Sequence, residues 1–322
     1  MLKPLLKTLL LLACGLLLTN CDTNSDDFVN PSDSEVLSAV LEIAEDNSVN
    51  RQDINWPDTR QAVQSSFTNE GYEAAIRTLL RALGDNHSFY NTVNGSAYTE
   101  RTNSCTTQGY DLSALPNDIA YLRVNSFLFN ANGTAPANFA GDMQNTLRIQ
   151  ERTNPKGWVI DLSLTSGGNM YPLIGGLGPF FSDIVLGHFI DPLQNEAPWG
   201  YEVGSVFHSS PRITALQVNN PLVLDDPEVK VVIVTDQATA SSGEAVALSF
   251  KGRPNTLFLG RPTCGLSTGT RVFGLPNGDQ FILAVADMAD RDKNVYGGII
   301  QPDEQIGSDQ EMVDRIVEWM NE

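Results

Sequence analysis

Basic residues are in short supply in this sequence. Lys and Arg together number 20 against 39 Asp and Glu, a formal charge of −19 over 322 residues. A surface of that sign repels phosphate backbones, which excludes nucleic acid as a partner and leaves cationic peptides admissible. Histidine is scarcer, with three in the whole chain. With so few imidazoles, no HExxH and no paired cysteines at zinc spacing, no metal centre is expected. There is no P-loop and no G-x-G-x-x-G after a strand, so no cofactor is expected either. Repeats at solenoid spacing are also lacking.

Cysteine is limited to four residues, and their placement speaks to compartment. Lys3 and Lys7 precede a leucine-rich run from Leu9 to Leu18 that is too short for a permanent membrane span and fits a secretory signal. It ends in Leu18-Thr19-Asn20-Cys21, which resembles a bacterial lipobox, although Asn20 stands where a small residue is usual. Residues 1–20 are therefore read as a lipoprotein signal peptide with Cys21 acylated; an ordinary signal peptide with a coincidental cysteine is the alternative. The Asp-, Asn- and Ser-rich stretch 21–33 reads as a tether. This predicts an exported bacterial lipoprotein of the cell envelope, facing the periplasm or the cell surface and held to the membrane by lipid. Cys14 leaves with the signal. Cys105 and Cys264 remain in an oxidising compartment, where a disulfide and two free buried thiols are both open.

Apolar spacing predicts helices over Ser34 to Asp46 and about Gly71 to Leu83, the second stopping at Gly84. Beyond a polar linker, strands and helices alternate: strands at Ile119 to Val124, Trp158 to Leu162, Val229 to Thr235 and Leu257 to Gly260, with helices at Phe139 to Gln150, Met170 to Phe181 and around Ala245 to Phe250. Strands joined by helical crossovers imply an α/β fold with a mostly parallel sheet. A Pro-Asn-Gly-Asp turn joins two strands within 269–289, and a last helix covers Gln310 to Met320. The expected organisation is an N-terminal helical region at 34–110 and a core at 111–322 with a small cap insert at about 182–224.

Three short segments could carry chemistry. Thr239-Ala240-Ser241-Ser242-Gly243-Glu244 follows a buried strand and opens a helix, where backbone N–H groups and the helix dipole favour a developing oxyanion. Alone, this segment reads rather as an N-cap with a capping box, Glu standing three residues after Ser241. The strand Trp158 to Leu162 runs into Gly167-Gly168, which lets the backbone turn its N–H groups outward at the sheet edge. A serine nucleophile needs a base. His188 sits among apolar residues and reads as packed, and His208 lies in a polar, surface-like stretch. His87 stands in a loop between Asp85 and Ser88, either of which could orient its ring.

Together these segments resemble the C-terminal-processing and tricorn-type serine peptidases of ClpP/crotonase-like fold. The resemblance runs through LGDNHSF, IAYLRVNSF, WVIDLSLTSGGNM, VVIVTDQATASSGEAVAL, FLGRPTCGLSTG, LPNGDQFILAVA and GIIQPDE, in that order over about residues 80–305. It is similar in particular to the short nisin-resistance-type members that lack a PDZ domain. The resemblance implies a serine peptidase acting on peptides or proteins, with Ser241 as nucleophile, His87 as base and Ser88 as its orienter. Ser242 and Gly167 or Gly168 would form the oxyanion hole. The lysine base of many relatives falls on Leu266 here, so a Ser–Lys mechanism is excluded. The usual Arg and Asn of DLR-x-N-x-GG are Ser163 and Thr165, which alters the support behind the oxyanion loop. The tricorn-type glutamate falls close to Tyr296, leaving no acidic partner to carry over.

Overall fold

The computed structural model describes residues 31–128, 134–226 and 228–322. The signal peptide, Cys14, Cys21 and most of the tether lie outside the described residues. No helix among the described residues is long and apolar enough to cross a membrane.

Three helices open the fold. Helix α1 (Asp33–Asn47) begins with a capping box in which Ser32 Oγ accepts the Glu35 N–H and the Glu35 carboxylate accepts the Ser32 N–H. It buries Val36, Leu37, Val40, Leu41 and Ala44. Helix α2 (Trp56–Glu70) is polar nearly all round and buries only Trp56 and Val63, so its sequence carries no apolar stripe and nothing in the pattern announces it. Helix α3 (Tyr72–Leu83) buries five residues along one face and stops at Gly84, whose φ of +67° is left-handed.

The chain then builds two sheets. Strands β1 (Phe89–Asn91) and β2 (Ala97–Thr99) precede β3 (Ala120–Arg123), α4 (Pro136–Glu151), β4 (Trp158–Asp161) and α5 (Met170–Leu177). Four strands follow without a helix: β5 (Val185–Ile190), β6 (Glu196–Glu202), β7 (Ser205–His208) and β8 (Ile213–Gln217). Next come β9 (Val231–Thr235), α6 (Ser242–Phe250), β10 (Thr256–Gly260), β11 (Thr268–Gly274), β12 (Gln280–Asp290), β13 (Glu304–Gln305) and α7 (Asp309–Asn321).

The five-stranded sheet, ordered β13-β10-β9-β4-β3, is parallel throughout, as helical crossovers require. Side-chain alternation divides its two faces. Trp158, Ile160, Val231 and Ile233 pack with Leu147 of α4, Leu173 of α5 and Val246 of α6, whereas Val159, Val232 and Val234 meet Met312, Val313 and Ile316 of α7. Both faces are covered, which is why these strands read as unbroken apolar runs. Each such side chain contributes about 1.5–3 kcal/mol on burial. At the β3 edge the side chain of Gln150 stands in for a further strand. Its Oε1 accepts the Tyr121 N–H and its Nε2 donates to the Tyr121 carbonyl, both at 2.9 Å.

A larger, antiparallel sheet stands beside the parallel one. Eight strands, ordered β2-β1-β12-β5-β6-β7-β8 with β11 also on β12, pair antiparallel. Connections such as Val203-Gly204, both at positive φ, are too short for crossovers and turn the chain straight back. The stretch expected as a cap is this sheet's extension, with Leu186, Trp199, Tyr201, Val206 and Leu216 buried in the same core as α5 and α6.

Candidate active site

The turn between β9 and α6 is fixed before Ser241 is reached. Thr239 Oγ1 donates to the Leu162 carbonyl at 2.8 Å and accepts the Asp236 N–H at 3.0 Å, and the Ala240 N–H donates to the Thr165 carbonyl at 3.0 Å. Ser241 then adopts φ +52°, ψ −108°, a region that costs a non-glycine residue about 1–3 kcal/mol and is retained only where surroundings enforce it. Gly243 makes the close approach possible, since a Cβ there would collide with the Thr165 carbonyl. The hydroxyl so presented lines a cleft of about 960 Å³ together with Ser242, Gly168 and Thr268.

Glu244 supplies the enforcement. Its buried carboxylate accepts four hydrogen bonds, from Ser241 N–H (2.8 Å), Leu266 N–H (2.8 Å), Gly265 N–H (2.9 Å) and Thr263 Oγ1 (2.6 Å). Burial pushes its pKa up to about 7 against the pull of these donors. The sequence marked this residue only as a cap; its bonds to the 263–266 loop could not be read from spacing.

Gly167 lies beside the serine: a methyl group there would sit 3.5 Å from Ser241 Cβ and 3.9 Å from Oγ. Gly167 and Gly168 have φ of +131° and +109°, and a Cβ on Gly168 would strike the Phe127 carbonyl. The N–H groups of Gly167, Gly168 and Ser242 donate to no acceptor among the described residues, so donors stand uncommitted on both sides of Ser241. Of Ser163 and Thr165, the threonine side chain supports this turn. Thr165 Oγ1 donates to the Val124 carbonyl at 2.7 Å, while Ser163 is buried against Gly109 and its N–H donates to Asp161.

His87 is buried, and its Nδ1 lies 2.7 Å from Thr268 Oγ1. Burial, then the nearby Arg101 charge, lowers its pKa to about 4, so the imidazole is neutral at physiological pH. Neither neighbour expected to orient the ring does so. Asp85 accepts the backbone N–H groups of His87 and Ser88, and Ser88 Oγ donates to Asp85 while accepting the Ala284 N–H of β12. These two residues hold the loop against the sheet; Thr268, 181 residues away in sequence, holds the ring. No hydrogen bond joins His87 to Ser241 in this structure; Thr268, bonded to the His87 ring, lines the cleft that Ser241 also lines.

His188 is packed in β5, as its neighbours imply. His208, expected at the surface, is instead half-buried in the cleft wall, its ring 5.6 Å from that of Tyr171. Cys105 and Cys264 form a disulfide, Cα–Cα 5.2 Å, with Cys264 packed on Ala240 and Leu266 beside the serine turn. Leu266 is buried there, an apolar side chain where the lysine base of relatives would stand. The Tyr296 hydroxyl lies 3.4 Å from Asp290 and supplies no carboxylate.

Residues 118–306 match the sequence profile of peptidase family S41. The nisin-resistance protein of Lactococcus lactis subsp. lactis is 23% identical over 297 residues, covering 91% of this chain and 88% of that protein. Among solved structures, a lipoprotein from Streptococcus agalactiae superposes with a TM-score of 0.65 at 24% identity, covering 89% of this chain and 96% of the other. The photosystem II D1 C-terminal processing protease superposes at 0.54 and 14% identity, covering 89% and 97%.

Proposed function

Because the chain belongs to peptidase family S41, we propose that it is a serine endopeptidase that cleaves exported or extracellular peptides or proteins through an acyl-enzyme on Ser241. His87 is the general base. As Ser241 Oγ bonds to the scissile carbonyl carbon, its proton passes to Nε2 of His87, and the carbonyl oxygen takes up negative charge. That charge is received by the N–H of Ser242 and of Gly167 or Gly168, donors worth roughly 10²–10³ in rate each. Collapse expels the amine, which takes the proton from His87. The same base then activates a water to hydrolyse the ester and restore Ser241.

The observation that carries this reading is the strained Ser241 on a cleft wall, with three uncommitted N–H donors around it. A buried, neutral imidazole is held by Thr268, a residue of the same cleft; catalytic hydrogen bonds often close only around substrate. Strands of the 182–224 insert supply Phe189, Glu196 and His208 to the cleft, which suits this insert to substrate selection. The two relatives named as a lipoprotein and a nisin-resistance protein support a cell-envelope location with a lipid anchor at Cys21.

A second reading, a catalytically weak lipoprotein that binds peptides or apolar ligands, is favoured by the absence of a His87–Ser241 hydrogen bond. A fluorophosphonate probe separates the two. Residues 27–322 labelled once, on Ser241, and unlabelled in Ser241→Ala and His87→Ala, support the peptidase. Folded protein that takes no label supports the binding protein.

A further inference from the structure

Resting on the peptidase reading, the geometry points to Thr268 as the positioning residue for His87: its hydroxyl accepts the Nδ1 hydrogen and so keeps Nε2 as the basic nitrogen. A neutral imidazole carries one hydrogen and can hold it on either nitrogen; only the Nδ1–H form can take a proton through Nε2. In most serine hydrolases that choice is made by a carboxylate, and here none touches the ring. Asp85 is committed to backbone and to Ser88. Asp287, opposite Thr268 in the β11–β12 pair, shares its sheet face, but its carboxylate makes no hydrogen bond or ion pair among the described residues. Arg101 is the remaining charge that bears on the ring, and it opposes protonation.

Thr268 is built to hold its place. Its N–H donates to the Leu266 carbonyl at 2.8 Å, the neighbouring Met288 N–H donates to the Ser267 carbonyl at 3.0 Å, and Ser267 Oγ donates to the Gly298 carbonyl at 2.5 Å. A β-branched side chain on so fixed a backbone has little χ1 freedom. Thr268 and Ser241 line one cleft, so the residue that fixes the base belongs to the same site as the nucleophile.

The test is nitrogen-15 NMR of histidine-labelled protein, practicable with three histidines, run on wild type, Thr268→Val and Thr268→Ser with His87→Ala for assignment. Fluorophosphonate labelling rates are measured in parallel. The expected result is an Nδ1–H tautomer for His87 at pH 7 in the wild type and in Thr268→Ser. In Thr268→Val the Nε2–H form should gain, with labelling roughly 10- to 100-fold slower. An Nε2–H tautomer in the wild type overturns the proposal, as does a folded Thr268→Val protein with wild-type tautomer and rate. Wild-type protein that takes no label sinks the peptidase reading instead, while the tautomer still decides the role of Thr268.

Discussion

Ser241 gives its backbone N–H to the Oε2 atom of Glu244 over 2.8 Å, and Leu266 gives its own N–H to the same atom over the same distance. One carboxylate thus ties the strained serine turn to the loop whose lysine position has become apolar. Replacing Glu244 by Gln turns one acceptor oxygen into a donor that must face a buried N–H or the Thr263 hydroxyl. An unsatisfied buried donor costs about 1–3 kcal/mol. Glu244→Gln should lose at least that much in urea unfolding and label more slowly at Ser241; an unchanged midpoint and rate would show that the four bonds hold nothing in place.

The acid dependence of activity should be displaced. A base with a pKa of about 4 rather than 6.5 stays unprotonated well into the acid range. The labelling rate should therefore be flat from about pH 5.5 upward and fall only near pH 4. An inflection near 6.5 would mean that His87 is not the base, or is exposed when it acts.

Stability has two opposing pH contributions in nearly the same window. His87, lowered from 6.5 to about 4, contributes stability present above 6.5 and lost as pH falls toward 4, because the unfolded chain binds the proton first. Glu244, raised from 4.5 to about 7, works the other way: its contribution is full below 4.5 and is lost as pH rises toward 7. Relative to wild type, His87→Ala should lose stability with rising pH between 4.5 and 7 more steeply. The readout is the urea midpoint at half-unit pH steps, and parallel curves would contradict the His87 assignment.

Gly168→Ala puts a Cβ against the Phe127 carbonyl on a backbone at φ +109°. Strain and collision together should cost about 2–3 kcal/mol and displace the uncommitted N–H groups. Thermal unfolding and Ser241 labelling should both fall, and a variant that labels normally would remove Gly168 from the oxyanion site.

The Cys105–Cys264 disulfide closes a loop spanning 159 positions. Long loops gain most from closure, and breaking such a bridge costs about 2–5 kcal/mol. Dithiothreitol, or Cys105→Ser with Cys264→Ser, should lower the unfolding temperature measurably. An unshifted transition would mean that the bridge adds nothing to stability.

Much of the parallel half was legible because its strands are buried on both faces and so read as apolar runs ending at turns. The Pro-Asn-Gly-Asp hairpin, α3 with its glycine stop and the serine at a strand-to-helix turn were legible for similar local reasons. The antiparallel half was not. β6 contains Pro198 and Gly200, and β8 exposes four of its five residues, so neither alternates cleanly. The site failed where it depended on distance. Ser88 adjoins His87 in sequence, but the chain turns its hydroxyl toward Asp85 and Ala284, whereas Thr268 arrives from a strand that only the fold brings near. His208 looked superficial because polarity records solvent contact and not which wall of a cleft provides it.

Gln150 lends the fold one more property. By closing on both backbone groups of Tyr121, its amide occupies the positions through which the β3 border could seed growth of the sheet from a neighbouring molecule. Side-by-side accretion of copies along that border is blocked at its middle by a single residue, so concentrated chains can lie close without being stitched into a continuous ribbon there.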